Sequence, residues 1–191
     1  MMDKDVITVV SGLPRSGTSM MMQMLEAGGL EILTDNLRKR DDDNPKGYYE
    51  LESIKRLGKD QSCLHDARGK VVKVISELLK YLLPQYQYRV IFMRRKMEEI
   101  LASQKQMLIR RGKPTDTVSE EKLAELFTKH LRLVTAWLDQ QSNIDVLYIE
   151  YNALLQDPGE HIQRINEFLG NTLDVQEAAA IVDKTLYRQR R

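Results

Sequence analysis

Val6-Ile7-Thr8-Val9-Val10-Ser11-Gly12-Leu13-Pro14-Arg15-Ser16-Gly17-Thr18-Ser19 is the stretch whose reading decides the fold. Five β-branched residues make a buried strand, two glycines five positions apart make a loop, and Met20-Met21-Met22-Gln23-Met24 opens a helix. Strand, glycine loop and helix in that order turn free backbone N–H groups and a helix N-terminus onto one point, a geometry made for phosphate. Ser11, Ser16, Thr18 and Ser19 add hydroxyls suited to phosphate oxygens. Against the pattern G-x-x-x-x-G-K-[ST] the glycines and the last hydroxyl fit, but Thr18 stands in the lysine position. The cation has moved into the loop, to Arg15. A loop without that lysine suits a donor other than a magnesium-bound nucleoside triphosphate.

The chain has 191 residues, 42% of them hydrophobic, enough for one full core and short for two, so residues 1–191 read as one domain. With 29 basic and 28 acidic residues the net charge is +1, which excludes a general attraction to nucleic acid or anionic lipid. Any anion binding has to be local. One cysteine, Cys63, allows no internal disulfide, and Asp3, Lys4 and Asp5 stand where a secretory leader would be basic; a reducing, cytoplasmic setting is expected. No apolar run approaches the ~20 residues of a membrane span. The methionines crowded at positions 20–24 read as core filler.

Outward from the loop, the pattern predicts a strand over 6–10, a helix from about 19 to the stop at Gly28-Gly29, and a short second strand over 30–33. Residues 35–69 are charged and broken by the turn Asn44-Pro45-Lys46-Gly47, as in a solvated loop or in a segment lying over a site. A buried strand over 71–75, a short helix over 77–83 ended by Pro84, a strand over 89–93 and a helix to about 110 follow. Gly112-Lys113-Pro114 breaks the chain, and Thr117 with Glu120 suggests a capping box for a helix whose apolar stripe is Leu123, Leu126, Phe127, Leu131, Val134, Trp137 and Leu138. A strand over 145–151, a helix from Asp157-Pro158 to Gly170 and a closing helix over 176–188 complete the chain. Alternating strands and helices imply an open parallel α/β sheet covered on both faces, with ligands beyond the carboxyl ends of the strands.

The loop at 12–19 resembles the 5′-phosphosulfate-binding loop of sulfotransferases that use 3′-phosphoadenosine 5′-phosphosulfate (PAPS). Two further segments resemble the same family in the same order. Arg89-Val90-Ile91-Phe92-Met93-Arg94-Arg95, with Ser103 eight residues after Arg95, is similar to its 3′-phosphate-binding element; Tyr151 to Pro158, seven residues apart, is similar to its adenine-side strand end. The family's usual glutamate after that tyrosine is Asn152 here. The resemblance implies a P-loop NTPase-like sulfotransferase fold and metal-independent, in-line transfer of a sulfuryl group from PAPS to a hydroxyl or amine. It implies that Pro14, Arg15, Ser16, Gly17, Thr18, Ser19, Arg95, Ser103, Tyr151 and Arg188 bind the nucleotide, and that Arg15 and Lys73 stabilise charge at the sulfuryl group. The histidine that the cytosolic branch carries two residues after the lysine is Ile75 here, so the base comes from elsewhere. Asp35 and Glu50 are the carboxylate candidates, with His65 a third; His65, His130 and His161 are too scattered for a metal site. The acceptor, small molecule or peptide, is expected between residues 35–69 and 105–117, with a second subunit or another domain available to complete the pocket. Two other readings stand beside this one. A P-loop nucleotide kinase or NTPase would need a lysine at Thr18, and a protein that binds PAPS or its bisphosphate product PAP without turnover would need no base.

Overall fold

A computed structural model describes residues 4–41, 44, 47–115 and 117–182. Strands β1 (Val6–Gly12), β2 (Val71–Lys73), β3 (Gln87–Arg94) and β4 (Ile144–Glu150) form one parallel sheet in the order β2-β1-β3-β4. Helix α1 (Thr18–Ala27) follows β1, and the short α2 (Cys63–Asp66) precedes β2. Between β3 and β4 run α3 (Met97–Arg110) and α4 (Glu120–Leu138); after β4 come α5 (Tyr151–Gln156), α6 (Pro158–Phe168) and α7 (Val175–Ala180).

The core follows from the period of two in each strand. Val10, Ile91 and Ile149 face α1 and α5–α7, where Met21, Met22, Leu154, Ile162 and Ile165 bury. Ile7, Val9, Val72, Val90 and Phe92 face the other way, against Leu64, Leu79 and Leu138. Three of the crowded methionines, Met21, Met22 and Met24, are core, at no more than 1% exposure; Met20 instead reaches the edge of a pocket.

Several boundaries differ from expectation, each for a local reason. Residues 30–33 make no strand: Ile32 forms a single parallel bridge with Val71, and the chain then turns off where Asp35 Oδ1 accepts from the Leu37 N–H. Strand β2 stops at Lys73, and the helix expected over 77–83 is a 3-10 helix at Ser76–Tyr81, with the Leu78 N–H donating to the Ile75 carbonyl. Ser119, not Thr117, caps α4, its Oγ accepting from the Lys122 N–H at 3.2 Å. Of the α4 stripe, Leu138 is buried and Leu131, Val134 and Trp137 pack on the core, whereas Leu126 is 47% exposed because the first half of α4 leaves the sheet. Tyr151 begins α5 instead of ending β4. The closing helix covers Val175–Ala180, and its expected continuation from 183, Arg188 included, lies outside the described residues.

Parallel strands bring the ends of β1, β2, β3 and β4 to one edge. Val10 pairs with Lys73, Gly12 with Met93, and Arg94 with Glu150, so the phosphate loop, Lys73, Arg95 and Tyr151 leave the sheet side by side.

Candidate functional site

The loop after β1 is shaped by two residues with left-handed backbone. Arg15 has φ 73° and Gly17 has φ 101°. A Cβ on Gly17 would lie 2.4 Å from the Tyr151 ring, so only glycine lets the ring lie against the loop. No side chain among the described residues caps the start of α1, which leaves its first N–H groups turned to the crevice. The crevice is a pocket of about 550 Å³, and Pro14, Arg15, Gly17, Thr18 and Ser19 all line it. Ser16 stands apart: its N–H donates to the Leu13 carbonyl, its buried Oγ has no partner, and it faces a second hollow of about 520 Å³.

Lys73 is only 9% exposed at the end of β2. Its Nζ donates to Ser19 Oγ at 2.9 Å and to the Tyr48 carbonyl at 2.8 Å, which holds the ammonium between the phosphate loop and the 47–50 segment. Burial pushes the ammonium from 10.5 down to about 8, with Glu50 pulling it back up.

Across the loop, Arg95 is held on three sides. Its Nε donates to Glu99 Oε2 at 2.8 Å, its Nη1 to the Arg15 carbonyl at 3.0 Å, and its guanidinium lies 4.6 Å from the Tyr151 ring centre. Glu99 is fully buried, and Asn152 donates to its other oxygen at 2.8 Å. Asn152, where the resemblance expects glutamate, thus braces the acid that braces Arg95. Arg15 Nε donates to Ser103 Oγ at 2.9 Å, which joins the phosphate loop to the helical hydroxyl expected at the 3′-phosphate. Burial raises the Tyr151 phenol above its ordinary value, with Arg95 opposing.

The two carboxylate candidates part company. Glu50 lines the pocket, paired with Arg38 and 3.7 Å from Lys55. Asp35 does not line it: its oxygens accept from the N–H groups of Leu37 at 3.0 Å and Glu52 at 2.6 Å. Its slight burial raises the carboxyl's pKa, but these backbone donors outweigh it and hold it below the ordinary value. Asp35 is a turn-shaping group. His65 is exposed on α2, away from the pocket. His130 pairs with Ser76 Oγ at 2.9 Å and His161 with the Asp157 carbonyl at 3.0 Å. Among the described residues no group of three or more His, Cys, Asp or Glu could hold a metal ion, and no helix is long and apolar enough to cross a membrane.

Two further segments line the same pocket. Arg38, Asn44, Tyr48, Leu51, Ile54 and Lys55 line it from one, and Gln106, Met107, Arg110 and Arg111 from the other. Sequence reasoning took Arg38 only as part of the charged 35–69 stretch, read as a solvated loop or a segment over the site, and gave Lys55, Arg110 and Arg111 no role. The doublet Arg110-Arg111 just before the Gly112 break was the available signal.

A sulfotransferase domain model matches residues 3–191. No curated protein sequence matches the chain. Its fold is shared by solved structures, among them three sulfotransferase-fold proteins. Mouse sulfotransferase SULT7A1 complexed with PAP matches at TM-score 0.53 and 19% identity, over 96% of this chain and 64% of that one. A retinol dehydratase in complex with androsterone and inactive cofactor PAP matches at 0.54 and 17%, over 97% and 65%. The sulfotransferase domain from the Synechococcus PCC 7002 olefin synthase matches at 0.54 and 16%, over 100% and 85%. This chain thus spans just under two thirds of the length of the first two.

Proposed function

This chain belongs to the sulfotransferase family, and from that premise we propose that it moves a sulfuryl group from PAPS to a hydroxyl or amine acceptor. The observation that carries the reading is one pocket of about 550 Å³ lined by the phosphate loop, Lys73, Arg95, Ser103, Tyr151 and Glu50 together.

The residues fit such a donor on their own geometry. The uncapped start of α1 and the glycine that admits the Tyr151 ring form a cradle beside three cations, Arg15, Lys73 and Arg95. PAPS supplies a sulfuryl group activated by its bond to phosphate. In our reading the loop backbone with Thr18 and Ser19 holds the 5′-phosphate, while Arg95 and Ser103 hold the 3′-phosphate by a charged fork and a hydroxyl. Pro14 and Tyr151 flank the nucleotide. Lys73 and Arg15 face the charge that grows on the departing bridging oxygen as the acceptor's oxygen or nitrogen bonds to sulfur. Glu50 takes the acceptor's proton, because it is the candidate carboxylate in the pocket and Asp35 is engaged in a turn. Arg188 remains a candidate for the 3′-phosphate from outside the described residues. The inferred setting is cytoplasmic, with a small-molecule or peptide acceptor and room for a second subunit or domain at the pocket's mouth.

Thermal-shift titration with PAP and with ATP plus magnesium tests the donor, and a sulfuryl-transfer assay on Glu50→Gln tests the base. PAP is expected to stabilise the protein and ATP not, Arg95→Ala to lose the effect, and Glu50→Gln to keep PAP affinity while losing about 10²–10⁴-fold in rate. A preference for ATP would return the kinase reading despite Thr18. PAP binding with no transfer to any acceptor would leave a nucleotide-binding protein.

A further inference from the structure

Beyond the donor's groups the pocket carries a second set of cations, and we propose that the acceptor is itself anionic: its reacting hydroxyl or amine sits on the same molecule as a carboxylate, phosphate or sulfate group. This rests on the sulfotransfer reading and adds the class of acceptor to it.

Tyr48 lays out the geometry. Its carbonyl accepts from Lys73 Nζ at 2.8 Å, at the transfer point. The Arg38 guanidinium lies 3.4 Å from the centre of its ring, and Arg111 Nη2 lies 3.4 Å from its hydroxyl. Three cations thus follow one side chain outward from the transfer point, with Arg111 about a tyrosine's length from Lys73. Arg110 and Lys55 line the same end.

Acids hold these side chains without cancelling them in the pocket. Glu50 pairs with Arg38, Glu52 takes Lys55 at 2.6 Å, and Asp41 accepts from the Tyr48 hydroxyl and lies 3.5 Å from Arg111. Of the three acids only Glu50 lines the cavity, so among the described residues four cations and one carboxylate line the acceptor's end of a molecule whose net charge is +1. The Arg111–Asp41 pair is loose and open to water, with the two side chains 35% and 42% exposed, so exchanging it for a ligand oxyanion costs little. An oxyanion placed there would gain charge-assisted, forked hydrogen bonds from guanidinium groups, whereas a neutral acceptor would bring no such partner to them.

The test uses the whole chain saturated with PAP and three matched pairs of probes: para-hydroxyphenylacetate against para-ethylphenol, glucose phosphate against glucose, and N-acetylglucosamine sulfate against N-acetylglucosamine. At least one anionic member is expected to bind about tenfold more tightly than its neutral partner by calorimetry, and the pair that does so identifies the oxyanion. Arg110→Gln with Arg111→Gln should reduce that preference to about twofold or less, with the melting temperature of the free protein read alongside to verify folding. Lys122→Gln, a surface residue paired with Glu125 and outside both pocket-lining segments, should leave the preference intact. Equal binding of both members of every pair, tighter binding of the neutral ones, or no binding of any anion overturns the proposal while PAP binding stands. Failure of PAP itself to bind would sink the sulfotransfer reading instead.

Discussion

At Lys73 burial lowers the ammonium to about 8 from 10.5, so between those values the unfolded chain holds a proton that the folded chain has released. Stability contributed by this residue therefore rises as pH climbs from about 8 toward 10.5, and its cost is fully present below 8. A bound anion reverses the sense, because it favours the charged ammonium. Lys73→Met supplies the reference: denaturant titrations should find the variant more stable than the wild type below pH about 8, the gap closing as pH rises, while PAP affinity of the wild type falls over the same window. A gap independent of pH would mean that the lysine titrates elsewhere. The lysine among valines was legible in the sequence because burying it alone is costly. What distinguishes Glu50 from Asp35 was not: one follows the turn at 44–47 and the other the strand expected over 30–33, and either place suits a base; their partners, Arg38 and Lys55 for one and two backbone N–H groups for the other, separate them.

Strands and helices long enough to repeat their own period were readable, and the short pieces were not. Strand β3 and helix α3 lie where the pattern puts them, because 8 and 14 residues carry several turns of the alternation or the stripe. Residues 30–33 carry too few to show that a turn built on Asp35 would end the pairing after one bridge. The start of α4 is a similar case, where Thr117 was the expected cap and Ser119, two residues on, is the hydroxyl that accepts from the Lys122 N–H. Ser119→Ala should cost about 1 kcal/mol of stability and Thr117→Ala less than about 0.5 kcal/mol, as urea unfolding of the two variants would measure. The reverse order would put the helix start back at Thr117.

For the molecule as a whole, a net charge of +1 conceals a pocket lined, among the described residues, by seven cations and one carboxylate. Surface pairs such as Lys122–Glu125 and Lys105–Glu120 are about half exposed or more and contribute little to folding. Salt should therefore act on ligand binding far more than on stability: PAP affinity drops steeply as the screening length shrinks from ~10 Å at 0.1 M toward ~3 Å at 1 M, while the unfolding midpoint without ligand barely moves. Calorimetry and unfolding curves over one salt series check both; a parallel loss would place the electrostatics in the fold instead of the pocket. The fastening of Gly17 to the Tyr151 ring has a consequence in time. The loop belongs to the first strand and the ring follows the last, so the cradle cannot take its shape until the fourth strand has joined the sheet. A growing chain that has made β1, α1 and even β3 still lacks the ring its loop rests on. Nucleotide capture thereby becomes a late event of folding, a check that the sheet is complete before the protein can hold its donor.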